Sequence, residues 1–98
     1  AVYSASKHAV EGLTKALAIE LGASNIRINT VCPTFIETEL TAKNLSDPDF
    51  RSWVLSKIKL GRLGRVEDIM GPIVFLASDA ASLITGTALL VDGGWTAE

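Results

Sequence analysis

Two short runs rich in β-branched and aliphatic residues, Ile26-Arg27-Ile28-Asn29-Thr30-Val31-Cys32 and Thr87-Ala88-Leu89-Leu90-Val91, constrain this chain more than any other feature. Both have the composition of buried strands. Helical patterns precede the first run and fill the interval to the second. Strands joined through helices pair in parallel with a right-handed crossover. Parallel sheets are covered on both faces and seldom have only two strands. The expectation is therefore part of a larger α/β fold, in the order helix, strand, helix, helix, strand.

Within residues 1–22, Tyr3, Lys7, Val10, Thr14, Leu17 and Leu21 recur at spacings of three and four and share one helical stripe, which Leu13 and Ala16 widen. Gly22 is read as the helix stop and Pro33 as the end of the first strand. Residues 34–47 are polar and irregular, with helical character near Glu39 to Lys43. Asp47 is a good N-cap and Pro48 a good first helical residue, and Phe50, Trp53, Val54 and Ile58 follow at helical spacing. After the breaks at Gly61 and Gly64, a further helix is predicted over about Val66 to Ser78. Glu67 and Asp68 favour its first turn, and Ile69, Ile73, Leu76 and Ala77 form its inner face. Asp92-Gly93-Gly94 turns the chain after the second strand.

Composition narrows the function classes. A hydrophobic fraction of 48% supplies a core, and no apolar run approaches the ~20 residues of a membrane helix. The net charge is −2, and the densest cationic stretch, Lys57, Lys59, Arg62 and Arg65, is interleaved with leucine and glycine, which argues against nucleic acid as a partner. Cys32 is the sole cysteine and His8 the sole histidine, so neither an intrachain disulfide nor a metal site is expected, and the cytoplasm fits best. Cys32 itself reads as a buried strand residue rather than a nucleophile.

The residues with chemical potential open the chain. In Tyr3-Ser4-Ala5-Ser6-Lys7 the tyrosine and lysine are four apart, so on a helix they project from one face and meet. A phenol titrates near ~10 and is a poor base at neutral pH, whereas a cation beside it favours the phenolate. Such a pair passes a proton to or from an alcohol oxygen while a hydride moves at carbon. Taken alone the spacing also fits a helix surface on which the two are neighbours by accident.

Its surroundings add weight. Tyr3-Ser4-Ala5-Ser6-Lys7-His8-Ala9-Val10, continuing through Leu13 to Leu21, resembles the active-site helix of the short-chain dehydrogenase/reductase family. Asn29-Thr30-Val31-Cys32-Pro33-Thr34-Phe35-Ile36-Glu37-Thr38 is similar to that family's strand and proline-glycine loop beside the nicotinamide. Gly61-Arg62-Leu63-Gly64 with Glu67-Asp68, and Leu76-Ala77-Ser78-Asp79 leading to Thr85-Gly86 and Val91-Asp92-Gly93-Gly94, extend the likeness over nearly the whole chain.

The resemblance implies a doubly wound, Rossmann-like parallel sheet, of which residues 1–98 would be a C-terminal fragment holding the active-site helix, the substrate lid and the last two strands. It implies an oxidoreductase moving a hydride between NAD or NADP and a carbonyl or alcohol of sugar-acid, polyol or ketoacyl type. Tyr3 would be the general acid/base, and Lys7 would hold the nicotinamide ribose and lower the tyrosine pKa. Pro33 and the backbone near Ile36 would line the cofactor, and Thr38 would bind the carboxamide; without the family context Thr38 reads first as a helix N-cap for residues 39–43, and the two roles are not exclusive. Arg62 reads as a structural partner of nearby carboxylates rather than a phosphate clamp. Residues 39–59 would form the lid, with Phe50, Trp53 and Leu55 in a pocket, a hinge or the core. A homotetrameric parent is implied, and the fragment alone is expected to be inactive.

Position 34 departs from the family pattern, being Thr where glycine is usual. A non-catalytic binding or scaffolding protein on the same fold is the alternative that this departure supports. Intact Tyr3 and Lys7 count against it.

Overall fold

The computed structural model describes residues 1–98. Its elements are α1 (Val2–Leu21), β1 (Thr30–Pro33), α2 (Glu39–Leu45), α3 (Pro48–Lys57), α4 (Val66–Ala77) and β2 (Ala88–Val91), with 3-10 turns at Gly22–Ser24, Asp79–Ala81 and Trp95–Ala97. The two strands pair in a single parallel sheet. The chain divides into two compact units, Ala1–Val31 with Ile73–Leu89, and Cys32–Pro72 with Leu90–Glu98. No helix is long and apolar enough to cross a membrane.

In the first unit the covered side of α1 is formed by Thr14 and Ala18, with Leu17 and Leu21 half-buried beside them. Ala18 faces Gly86, where an added Cβ would stand 3.3 Å from the alanine methyl. The chain entering β1 is fastened by side chains. Arg27 donates to the Ser78 and Ile84 carbonyls, and Asn29 donates to Ile84 O at 3.0 Å while accepting from Thr87 N at 3.1 Å. Thr30 N then donates to Thr87 O at 3.0 Å, which begins the ladder.

The second unit has its own core of Leu45, Val54, Ile58 and Leu63, with Phe35, Phe50, Leu55 and Trp95 packed against it. Phe50 and Trp53 of α3 join Phe35 and Trp95 in a chain of ring contacts, the Phe35–Trp95 and Trp53–Trp95 centroids lying 5.7 and 5.6 Å apart. Phe35, Phe50 and Trp95 pack on the core, while Trp53 is half exposed at its edge. Asp47 caps α3 by accepting from Asp49 N, and Pro48 opens the helix, as expected.

Several boundaries differ from the sequence reading. The first α-helix ends at Gly22, but Gly22 keeps right-handed angles and leads into a 3-10 turn; the left-handed residue is Asn25, at φ 61°. Asparagine tolerates that conformation better than most residues. β1 starts at Thr30 rather than Ile26: Ile28 donates to Thr85 Oγ1 and accepts from Gly86 N outside the ladder, and Arg27 and Asn29 link this stretch to Ser78, Ile84 and Thr87 through their side chains. It also includes Pro33. Thr30 N and Thr34 N both point to β2, so the alternation of a strand turns position 33 toward the other edge, where a missing N–H interrupts nothing on this side.

Three helices, not two, separate the strands, since the helical character near Glu39 to Lys43 develops into α2. On α4, Ile69 and Leu76 are half-buried as expected, yet Ile73 and Ala77 of the expected inner face are exposed, along with Met70, Val74 and Phe75.

Candidate active site

Helix α1 brings Tyr3 and Lys7 together: the lysine Nζ lies 5.5 Å from the centroid of the tyrosine ring, within cation–π range. Helical geometry dictates this, because residues four apart stand one turn above each other on one face. The same stripe continues through Glu11, Thr14 and Ala18, so the pair lies in line with the covered side of the helix. Glu11 accepts from Thr30 Oγ1 at 2.9 Å, which ties that stripe to the start of β1. Tyr3 is 73% exposed. His8 is exposed too and donates from Nδ1 to Ser4 O, a local bond on the helix surface.

The second set of expected residues, Pro33, Ile36 and Thr38, falls on the segment leaving β1. Thr34 N donates to Val91 O at 3.3 Å, so the threonine that stands where glycine was anticipated extends the ladder. Ile36 then forms an isolated parallel bridge with Gly64. Thr38 is the N-cap of α2, as one of its two readings foresaw, and its side chain accepts from Thr41 N. Thr41 reciprocates, because its Oγ1 accepts from Thr38 N at 3.1 Å and donates to Ile36 O at 2.6 Å. The Ile36 carbonyl and the Thr38 amide and hydroxyl therefore lie within a span that one small polar group, the Thr41 hydroxyl, bridges. A primary amide carries a matching donor and acceptor.

A cleft of about 680 Å³ opens beside this loop, lined by Thr38, Thr41, Leu45 and Ser46 and by Glu37 and Arg51, whose charged groups meet at 3.6 Å.

Arg62 holds Asp68 in a two-pronged ion pair, with N–O distances of 2.7 and 3.0 Å. The guanidinium's hydrogen bond, reinforced by the Arg65 amide, keeps the Asp68 carboxyl well below the usual carboxylate range. Asp92 is likewise lowered, chiefly by the Thr96 hydroxyl at 2.7 Å. Arg62 thus has the structural role expected of it.

Sequence reasoning overlooked Thr41, Asn29 and the precise partner of Arg62. The signal for Thr41 is present as Thr38-x-x-Thr41, a capping-box spacing with threonine where glutamate or glutamine is usual.

Comparison with known proteins agrees with the residues quoted above. The family profile described as enoyl-(acyl carrier protein) reductase matches residues 1–96. The chain is 49% identical over 92 residues to an L-rhamnose 1-dehydrogenase (NAD(P)(+)) of a Sphingomonas species, which covers 94% of this chain and 36% of that protein. It is 42% identical over 95 residues to the D-erythrulose reductase of Gallus gallus, covering 97% and 39%. Among solved structures, a gluconate 5-dehydrogenase from Burkholderia cenocepacia in complex with NADP and tartrate superposes with a TM-score of 0.94 at 37% identity, covering 100% of this chain and 38% of that one. The chain spans well under half the length of these relatives.

Proposed function

The chain belongs to the short-chain dehydrogenase/reductase family, and on that premise we propose that the full-length protein moves a hydride between NAD or NADP and the carbonyl or alcohol carbon of a sugar, sugar acid or polyol. The Tyr3–Lys7 pair on one face of α1 is the observation that carries this reading. The sugar and sugar-acid names of its relatives, one of them bound to NADP, support the substrate and cofactor classes.

Bound NAD(P) supplies or takes up the hydride. In the oxidative direction the carbinol C–H bond breaks, its electron pair leaving as hydride, the C=O bond forms, and the hydroxyl proton passes to Tyr3. Reduction runs the same steps backward. Lys7 donates hydrogen bonds to the ribose diol and keeps a cation beside the phenol. Pro33 and the backbone near Ile36 line the cofactor, and the Thr38 hydroxyl binds its carboxamide, a group with both a donor and an acceptor. The Ile36 amide, which faces away from the Gly64 edge of the loop, and the Thr38 hydroxyl support that reading.

We further infer a cytoplasmic homotetramer. The apolar side chains Met70, Val74 and Phe75 exposed on α4 support an interface, and the single cysteine is compatible with a reducing compartment. Steady-state turnover of Tyr3→Phe, assayed on aldoses, sugar acids and polyols with both dinucleotides, tests the reading. Turnover within a few-fold of the unaltered protein overturns it.

A further inference from the structure

We propose that Asp68 is a positioning residue for the loop Ile36–Thr38, acting through Arg62 and Gly64, so that dinucleotide affinity depends on this ion pair. The inference rests on the assignment of that loop to the nicotinamide carboxamide.

The loop is held along one edge by a single residue. Gly64 N donates to Phe35 O at 2.9 Å, and Glu37 N donates to Gly64 O at 2.8 Å. These bonds fix the peptide planes on both sides of Ile36. In extended backbone successive groups point to opposite edges, so the N–H and C=O of Ile36 itself face away from Gly64. The carbonyl is there taken by Thr41 Oγ1. Any rotation of Gly64 therefore turns the Ile36 carbonyl and, with it, the entry to Thr38. The approach is close: a Cβ at Gly64 would overlap Ile36 Cδ1.

One carboxylate reaches both flanks of Gly64. On the preceding side Arg62 forks onto Asp68 and also donates to Leu63 O at 3.2 Å. On the following side Arg65 N donates to Asp68 Oδ2 at 2.8 Å. Leu63 is meanwhile buried in the core, which leaves Gly64 between an anchored side chain and a tethered amide. The Arg62 and Asp68 side chains are 50% and 28% exposed, and ion pairs so exposed add little to global stability. Their two-pronged geometry, which favours orientation over energy, is the feature that matters.

The test uses the full-length protein and direct titration with NADH and NADPH, read by nucleotide fluorescence. Asp68→Asn keeps the side-chain volume and abolishes the charged fork. It is expected to weaken dinucleotide binding about tenfold, the scale of one hydrogen bond to a charged group, with the sugar KM and Tm nearly unchanged. Arg62→Lys, which keeps the charge and loses the fork, moves affinity in the same direction and serves if Asp68→Asn fails to fold. Glu67→Gln, a neighbouring carboxylate in the same helical turn, is the control and leaves affinity within twofold. Unchanged affinity in Asp68→Asn overturns the proposal, as does a loss matched by Glu67→Gln or one that tracks a fall in Tm. Thr38→Val separates the two levels. If it weakens binding while Asp68→Asn does not, the positioning role alone is wrong; if neither does, the carboxamide assignment is wrong as well.

Discussion

Lys7 Nζ stands over the Tyr3 ring at 5.5 Å, one helical turn along α1. The two groups have separable jobs in the proposed reaction, because one handles the proton at the substrate oxygen and the other the ribose. Tyr3→Phe removes a hydroxyl from an exposed ring and leaves packing intact. Its turnover should fall by at least the ~10²–10⁴-fold attributed to a positioned acid or base, with dinucleotide affinity nearly unchanged. Lys7→Ala should lower both. Equal losses of dinucleotide affinity in the two variants would contradict the division of roles.

Thr41 offers a sharper probe of the loop than Thr38. Its hydroxyl bonds Ile36 O and Thr38 N at once. Thr41→Val keeps the shape and removes both bonds. Loss of the reciprocal half of the capping box should cost about 1 kcal/mol of stability, the scale of one intramolecular hydrogen bond, and dinucleotide affinity should drop with it. Urea denaturation and fluorescence titration read the two effects. A variant that loses stability but binds dinucleotide as well as before would show that Thr41 serves α2 alone.

Most of the architecture was legible because it rests on local rules. Asp47-Pro48 announces α3, Glu67 and Asp68 announce α4, and the three- and four-residue recurrence from Tyr3 announces α1. What the sequence hid were choices settled by distant partners. Asn29 looks like a strand residue until Ile84 and Thr87 claim its amide, and Gly22 looks like a left-handed cap until Asn25 takes that conformation instead. The same applies to the candidate site. Tyr3 and Lys7 meet through helical spacing alone, but the bridge from Ile36 to Gly64 joins residues whose separation no periodicity encodes.

Asp92 supports a prediction in pH. It accepts from Gly94 N and Thr96 N as well as from the Thr96 hydroxyl, and its carboxyl is held below the usual carboxylate range. A carboxylate lowered on folding contributes stability that is present above its unfolded value of ~3.9 and lost as pH falls through the folded value. The stability gap between the unaltered protein and Asp92→Ala should therefore be constant above about pH 5 and narrow in more acid solution. Urea titrations monitored by tryptophan fluorescence across that range check it. A gap that keeps its full size in strong acid would mean that the charge contributes nothing.

The turn after β2 gives the last prediction, through a comparison of two glycines. Gly61 and Gly93 both have left-handed angles, φ 76° and 60°. A Cβ at Gly61 would meet nothing within 4 Å, while one at Gly93 would lie 2.6 Å from Cγ2 of Ile58. Ile58 is itself 3% exposed within the core of the second unit, so it has little room to retreat. Gly61→Ala should cost only the left-handed penalty of about 1 kcal/mol. Gly93→Ala adds overpacking, typically ~1–3 kcal/mol, to a penalty of the same kind. Its total should reach roughly 2–4 kcal/mol, a large fraction of the stability of an ordinary domain. Paired denaturation curves of the two variants measure the difference directly. Equal losses would show that Ile58 yields to the added methyl and that the turn tolerates a side chain which its close packing says it should refuse.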